Sequence, residues 1–323
     1  MKRSFPTFLC IGAHKAGTTW LYRQLLRHPD IWLPPTKEIH FFDRSLRYPS
    51  PNILAVPSFF SRLWGTNPWE RPRIISGVKS ILKRIFSGRF HQAAWWTLFT
   101  FGYYNENWYG RLFSQGRGYR ASGEITPAYA MLDDDDVARI KTVNPDMRII
   151  FILRNPIERA WSAVRFHAKR AGVKLEQCSA DEIIAQLKYP GMVLRGDYAR
   201  TLNIYLSHFD PSQILICFYD AIKNDPAGFL SGITEHLDVG PFAERAIVNE
   251  IYYNVSPQFS MPDKVKDYLV NTYAPLMTLM ADRLGSYSVL WKVSGLSPAA
   301  LQKLYSSGCL PPTVYPSKVT DFG

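Results

Sequence analysis

The sequence predicts an α/β fold assembled from parallel βαβ units, on three observations. Short apolar runs alternate with segments of helical period. The best run is continuous and β-branched, as strands buried in a parallel sheet are. Each run leads through a loop into a helical period, the order that parallel crossover units require.

The elements follow in chain order. Phe8-Leu9-Cys10-Ile11-Gly12 reads as a strand, and from Thr18 the residues Leu21 and Leu25 recur at helical spacing. Residues 45–119 lack strand runs and carry Phe59, Trp64, Lys83, Arg84, Trp95 and Trp108 among other aromatic and basic residues. This reads as a helical insertion over the sheet, of which 45–103 is the clearest part. Packing of an extra helical layer is the preferred role; shaping a substrate pocket, or touching a membrane surface through 81–90, are the alternatives. Asp133, Asp134, Asp135 and Asp136 precede a helical period ending near Val143. Acids favour a helix N-terminus, so capping is preferred over metal binding. Arg148-Ile149-Ile150-Phe151-Ile152-Leu153 is the clearest strand; Asn155-Pro156 then caps a helix running to about residue 170. Tyr198, Leu202, Tyr205, Leu206 and Phe209 share one helical face before a third strand over residues 214–219.

At roughly 150 residues per domain, 323 residues suggest about two domains, and one large α/β domain also fits. A hydrophobic content of 46% with 20% charged residues excludes intrinsic disorder. No apolar run approaches the ~18 residues of a membrane-spanning helix. The 38 Lys and Arg against 27 Asp and Glu leave a net charge of +11, which implies an anionic partner: nucleic acid, a lipid surface or a phosphorylated small molecule. Cys10, Cys178, Cys217 and Cys309 show no paired spacing, and Met1-Lys2-Arg3 is followed by an apolar run broken at Pro6 and ending at Gly12. Neither a disulfide framework nor a secretory leader is expected, so the expected location is the cytoplasm.

The first strand ends Gly12-Ala13-His14-Lys15-Ala16-Gly17-Thr18-Thr19-Trp20. The two glycines have Walker A spacing, and the helix that follows aims N–H groups and a positive dipole end at an anion. Thr18 stands where the Walker lysine belongs, Lys15 lies inside the loop, and no strand ending in Asp follows. The loop is suited to binding phosphate and poorly suited to positioning Mg²⁺. A glycine turn with an incidental lysine is the competing reading. Arg154 lies at the carboxyl end of its strand, where open α/β sheets place ligands, and Ser162 follows about two helical turns later. Together they suit a second phosphate; a surface Arg pairing with Glu158 is the alternative.

These residues resemble motifs of sulfotransferases that use 3′-phosphoadenosine 5′-phosphosulfate (PAPS). Residues 14–22 resemble the 5′-phosphosulfate loop, and Arg154-Asn155-Pro156 through Ser162 the 3′-phosphate motif. Lys37-Glu38-Ile39-His40-Phe41-Phe42 is similar to the acidic segment of the heparan-sulfate-type and bacterial branch. Residues 123–129, Arg195-Gly196-Asp197-Tyr198 and, more weakly, Asn254-Val255-Ser256 match in the family's order, so the likeness covers about 5–44 and 104–292.

The resemblance implies a single three-layer α/β/α domain, P-loop-NTPase-like, with residues 293–323 as a C-terminal extension. It implies sulfuryl transfer from PAPS to a hydroxyl or amine of a small-molecule, lipid or saccharide acceptor, without a metal. Ala16, Gly17, Thr18, Thr19 and Trp20 would cradle the 5′-phosphate through their backbone, while Arg154 and Ser162 would hold the 3′-phosphate and Tyr198 would be a further donor-binding residue. Lys15 would offset charge on the leaving phosphate oxygen. Glu38 would take the acceptor proton, with His40 as the alternative base. A solvated edge carrying Lys37 and Glu38 is the competing reading of that segment. Many relatives carry a lysine where this chain has Ile125, so Lys37 or Arg44 would replace it, or acceptor and donor sit differently. His14 borders the loop, within reach of a donor, and His167 is expected to pack or face solvent. A metabolite kinase and a basic nucleic-acid-binding module are the competing functions.

Overall fold

The computed structural model of the chain describes residues 4–50, 52–65, 70–242 and 259–291. The Asn254-Val255-Ser256 match, Cys309 and the 293–323 extension lie outside them. Five strands form one parallel sheet in the order β2-β3-β1-β4-β5: β1 Phe8–Gly12, β2 Ile31–Trp32, β3 Ala121–Ile125, β4 Arg148–Leu153 and β5 Ile214–Phe218. Every pairing is parallel, with β1 central: Phe8 opposes Gly123 on β3 and Arg148 on β4. The strands are buried along nearly their whole length. At ~1.5–3 kcal/mol for each fully buried large aliphatic side chain, Ile149, Ile150, Ile152 and Leu153 anchor β4.

Helices flank the sheet. After β1 comes α1 Thr18–Leu25; the insertion supplies α2 Phe59–Trp64, α3 Glu70–Phe86 and α4 Phe90–Phe101, and α5 Glu106–Leu112 leads to β3. Then follow α6 Asp134–Val143 and, after β4, α7 Pro156–Ala171, α8 Ala180–Leu187, α9 Pro190–Leu194 and α10 Tyr198–His208. Beyond β5 lie α11 Tyr219–Asn224, α12 Pro226–Leu237, α13 Asp263–Leu284 and α14 Tyr287–Trp291. The third strand stops at Phe218, one residue short of expectation, because Tyr219 already opens α11. The helix after β4 forms as its sequence dictates. The Asn155 side chain accepts from the N–H groups of Ile157 and Glu158, Pro156 sits at the first position, and Gly172 closes the end in the left-handed region at φ 68°.

The insertion is helical, and its large apolar side chains include a buried group and an exposed one. Trp95, Phe99, Tyr104 and Trp108 are buried in the same apolar cluster as the sheet, with Trp95 stacked on Phe99 at 5.0 Å. Ile75, Leu82, Ile85, Phe86 and Phe90 are instead exposed, beside exposed Lys79, Lys83 and Arg89. Among the described residues no helix is long and apolar enough to cross a membrane.

The acidic run is placed differently from a simple cap. Asp133 occupies the N-cap position of α6 but makes no side-chain cap bond. Its carboxylate pairs with Arg200 and with Arg47, Asp136 accepts from Arg47 and Tyr48, and His208 lies 2.7 Å from Asp134. These acids tie α6 to α10 and to the 47–48 segment, beyond any interaction with the helix dipole.

Candidate active site

The carboxyl ends of β1 and β4, at the centre of the sheet, carry the glycine loop and Arg154. Gly17 takes the left-handed backbone at φ 83°, and a Cβ there would lie 2.6 Å from Ile222 Cδ1. As the N-cap of α1, Gly17 offers no side-chain cap, so the first-turn N–H groups of Thr18 and Thr19 face outward without an intrahelical acceptor. Trp20 turns its ring into the core, packing edge-on to Phe229 at 5.8 Å. Lys15 also sits in the left-handed region, at φ 69°, and its Nζ lies 4.3 Å from the centre of the Phe166 ring. Burial, reinforced by Arg154, Arg165, Lys37 and Lys169, lowers its pKa to about 8. His14 is held neutral by burial beside Arg195, Arg159 and Lys15, and its Nδ1 is buried without a hydrogen-bond partner among the described residues. It packs against Phe166 at 5.8 Å and against half-buried His167 at 6.0 Å.

Arg154 ties the two strand ends together. It donates to the Lys15 carbonyl at 2.9 Å and to Glu158 at 3.0 Å, and its guanidinium lies 4.4 Å from the Tyr219 ring centre. The surface pair with Glu158 therefore exists, but the same guanidinium also braces the glycine loop. Tyr198 is fully buried and donates its hydroxyl to the Arg154 carbonyl at 2.8 Å. Ser162 is buried on α7, two turns from Arg154. Cations crowded around a loop of outward N–H groups fit a ligand bearing phosphates, the group this chemistry neutralises.

The 37–43 segment lies alongside. Lys37 donates to Glu38 Oε1, and His40 Nε2 lies 3.3 Å from Glu38 Oε2. His40 Nδ1 lies 2.7 Å from the fully buried Asp43, which also accepts from Ser50. Burial alone would raise the Glu38 pKa, but donation from His40 and Lys37 outweighs it and brings it down to about 2. Burial opposes the charge on His40 too, yet Asp43 and Glu38 raise its pKa to about 9. At neutral pH this is an imidazolium between two carboxylates, with Glu38 still 40% exposed. His40, like Lys15, takes positive φ (63°), a backbone conformation that non-glycine residues adopt mainly where function or packing enforces it. Of the two cations that could stand in for a lysine at 125, Lys37 bonds Glu38, whereas Arg44 bonds the Tyr104 carbonyl and stacks over Phe41.

Sequence reasoning missed what holds this segment. Glu124, fully buried on β3, accepts from Tyr109 at 2.6 Å, Thr126 at 2.7 Å, Tyr129 at 2.9 Å and the Ile39 N–H at 3.2 Å. The Phe41 N–H donates to Tyr129 at 3.0 Å, so one hydrogen-bonded hub fixes both backbone groups flanking His40. A charged residue inside an otherwise buried strand was the available signal. A cavity of about 300 Å³ opens beside Glu38 and His40, walled on its far side by α3 and α4.

Comparison with known proteins shows the family and the fold. The chain is 24% identical over 341 residues to "Carbohydrate sulfotransferase 15" of Homo sapiens, covering 90% of this chain and 55% of that protein. It is 23% identical over 262 residues to "Heparan sulfate glucosamine 3-O-sulfotransferase 6" of Homo sapiens, covering 80% and 58%. The chain thus spans little more than half the length of these curated relatives. A solved sulfotransferase from Alicyclobacillus acidocaldarius shares the fold, with a TM-score of 0.56 at 24% identity over 86% of this chain and 95% of that one. The profile of the Sulfotransferase family matches residues 6–244, more than half of the chain, and the chain belongs to that family.

Proposed function

We propose that the protein transfers a sulfuryl group from PAPS to a hydroxyl or amine of a small-molecule, lipid or saccharide acceptor. One observation supports this reading: Ile39, next to Glu38, donates to Glu124 and Thr126 at the end of β3, and Thr126 donates its N–H to Cys10 of β1, the strand that leads into the glycine loop. The reading takes the carboxylate and the phosphate loop as parts of one site. When bound, PAPS supplies an activated sulfuryl group and leaves as adenosine 3′,5′-bisphosphate.

The chain's own residues divide the remaining work. The N–H groups of residues 16–20 and Lys15 neutralise the 5′-phosphate side, Lys15 acting most strongly where negative charge accumulates. Arg154 and Ser162 hold the 3′-phosphate, and Tyr198 contributes by fixing the Arg154 carbonyl. Glu38, ionised at neutral pH, takes the acceptor proton as the new bond to sulfur forms. His40 stays protonated and orients the carboxylate. We also propose a reducing, cytoplasmic location, supported by the free thiols of Cys10, Cys178 and Cys217, and peripheral contact with anionic lipid through the exposed Leu82, Ile85 and Phe86 beside Lys79 and Lys83.

Labelled PAPS with an acceptor panel, together with thermal-shift titration of adenosine 3′,5′-bisphosphate in EDTA, tests the reading. Tight metal-free stabilisation is expected. Stabilisation by ATP and Mg²⁺ alone would instead restore the kinase. Glu38→Gln should cost on the order of 10²–10⁴-fold in turnover with bisphosphate affinity unchanged. Arg154→Ala should weaken the bisphosphate more than adenosine 5′-phosphate; equal losses would remove Arg154 from the 3′-phosphate.

A further inference from the structure

The cavity beside Glu38 draws most of its wall from the helical insertion. Its apolar surfaces include Ile74, Trp96, Phe99 and Tyr104. Since a cavity of ~150 Å³ already admits benzene, about 300 Å³ has room for one ring with substituents, or a short aliphatic chain.

Among the described residues of its lining, cations outnumber carboxylates. Arg73, on α3, lies over the Phe99 ring at 5.6 Å and makes no hydrogen bond to another described residue through its buried Nη1. Trp96 lines the same wall, with its Nε1 buried and without a hydrogen-bond partner among the described residues. Burial lowers the Arg73 pKa to about 10, which leaves a cation at neutral pH. Arg62 adds a second guanidinium, 3.7 Å from the Tyr104 ring centre and donating to the Thr100 carbonyl at 2.9 Å. Among the described residues lining the cavity Glu38 is the one carboxylate, and Lys37 and His40 already engage it. A guanidinium in the wall of an aromatic enclosure favours a ligand that brings an oxyanion of its own.

Resting on the sulfotransferase reading, we propose that the acceptor is a compact hydroxy acid. Its apolar body seats against Phe99, Trp96 and Tyr104, its carboxylate pairs with Arg73, and its hydroxyl reaches Glu38. The insertion would then select the acceptor by charge as well as by shape.

The test uses the full chain and three probes, 4-hydroxyphenylacetate, 3-(4-hydroxyphenyl)propanoate and 10-hydroxydecanoate, each compared with its methyl ester. Binding is measured by calorimetry with and without adenosine 3′,5′-bisphosphate. On at least one scaffold the acid should bind tenfold or more tightly than its ester. Arg73→Met should abolish that preference, and Arg73→Lys should keep part of it, with the bisphosphate-induced thermal shift unchanged in both. No preference on any scaffold, or a preference that survives Arg73→Met, would overturn the proposal. Failure of the bisphosphate to bind strikes the donor reading instead, and the acid–ester contrast measured without it still decides the proposal.

Discussion

The backbone N–H of Ile39 donates to the carboxylate of Glu124, 85 residues away in sequence, at 3.2 Å. This bond links β3 to the segment that carries Glu38, so the placement of the proposed base depends on a buried acid outside the reaction. Glu124 accepts four bonds and donates none. In Glu124→Gln one oxygen becomes an amide that faces donors, leaving at least one buried group unpaired at about 1–3 kcal/mol. A lower thermal midpoint is expected, with reduced kcat and unchanged bisphosphate Kd. An unaltered kcat in a destabilised variant would limit Glu124 to stability.

His40 gives a prediction with a definite sign. Asp43 and Glu38 raise its pKa from about 6.5 to about 9, so its charged form is favoured in the folded state. The resulting stabilisation is complete below pH 6.5 and is lost as pH rises through 9. Thermal unfolding from pH 6 to 10 should show this decline, and His40→Asn should lose that component. An identical decline in the variant would refute the charged triad. Turnover separates the two bases: if Glu38 acts, it is flat from pH 6 to 8, whereas a rise toward pH 9 that His40→Asn removes would make His40 the base.

How much of this was legible in the sequence depended on how local each cause is. The strands β1, β4 and β5 stand out because two-sided burial demands continuous apolar runs, and Asn155-Pro156 announces α7 because capping acts within three residues. In contrast β3, with Ser122 and Glu124 in five residues, hides a buried strand behind polar chemistry, and β2 has only two residues. The glycine loop was legible for the same local reason. Asp43 beneath His40, the Glu124 hub and Arg73 in the cavity wall were not, since each acquires its role from partners that only the tertiary fold brings together.

The exposed side of α3 should respond to lipid charge. Phe86 is 86% exposed, and Leu82 and Ile85 lie beside it with Lys79 and Lys83. Sedimentation with vesicles containing 30% anionic phospholipid should carry the protein down at low salt, and purely zwitterionic vesicles should not. Both raised salt and Phe86→Ser should weaken the association, because apolar insertion and charge contribute together. Equal recovery with both vesicle types would dismiss the lipid contact and assign these side chains to another role.

Lys15 should couple donor binding to pH. Its pKa is lowered to about 8, first by burial and then by neighbouring cations, so the free protein loses this charge within an accessible range. A polyanion in the loop favours the ammonium, and binding near pH 8 should therefore take up protons. Calorimetry with adenosine 3′,5′-bisphosphate in two buffers of different ionisation enthalpy should detect this uptake, and affinity should fall as pH rises from 7 through 9. The sign follows from linkage: protonated Lys15 is the binding form, so alkaline conditions impose the cost of restoring the proton. In Lys15→Met both the proton uptake and the inflection near pH 8 should vanish. Turnover should drop further than affinity if the ammonium acts chiefly on charge that develops during transfer. Should the variant keep the same inflection, the titrating group is not Lys15.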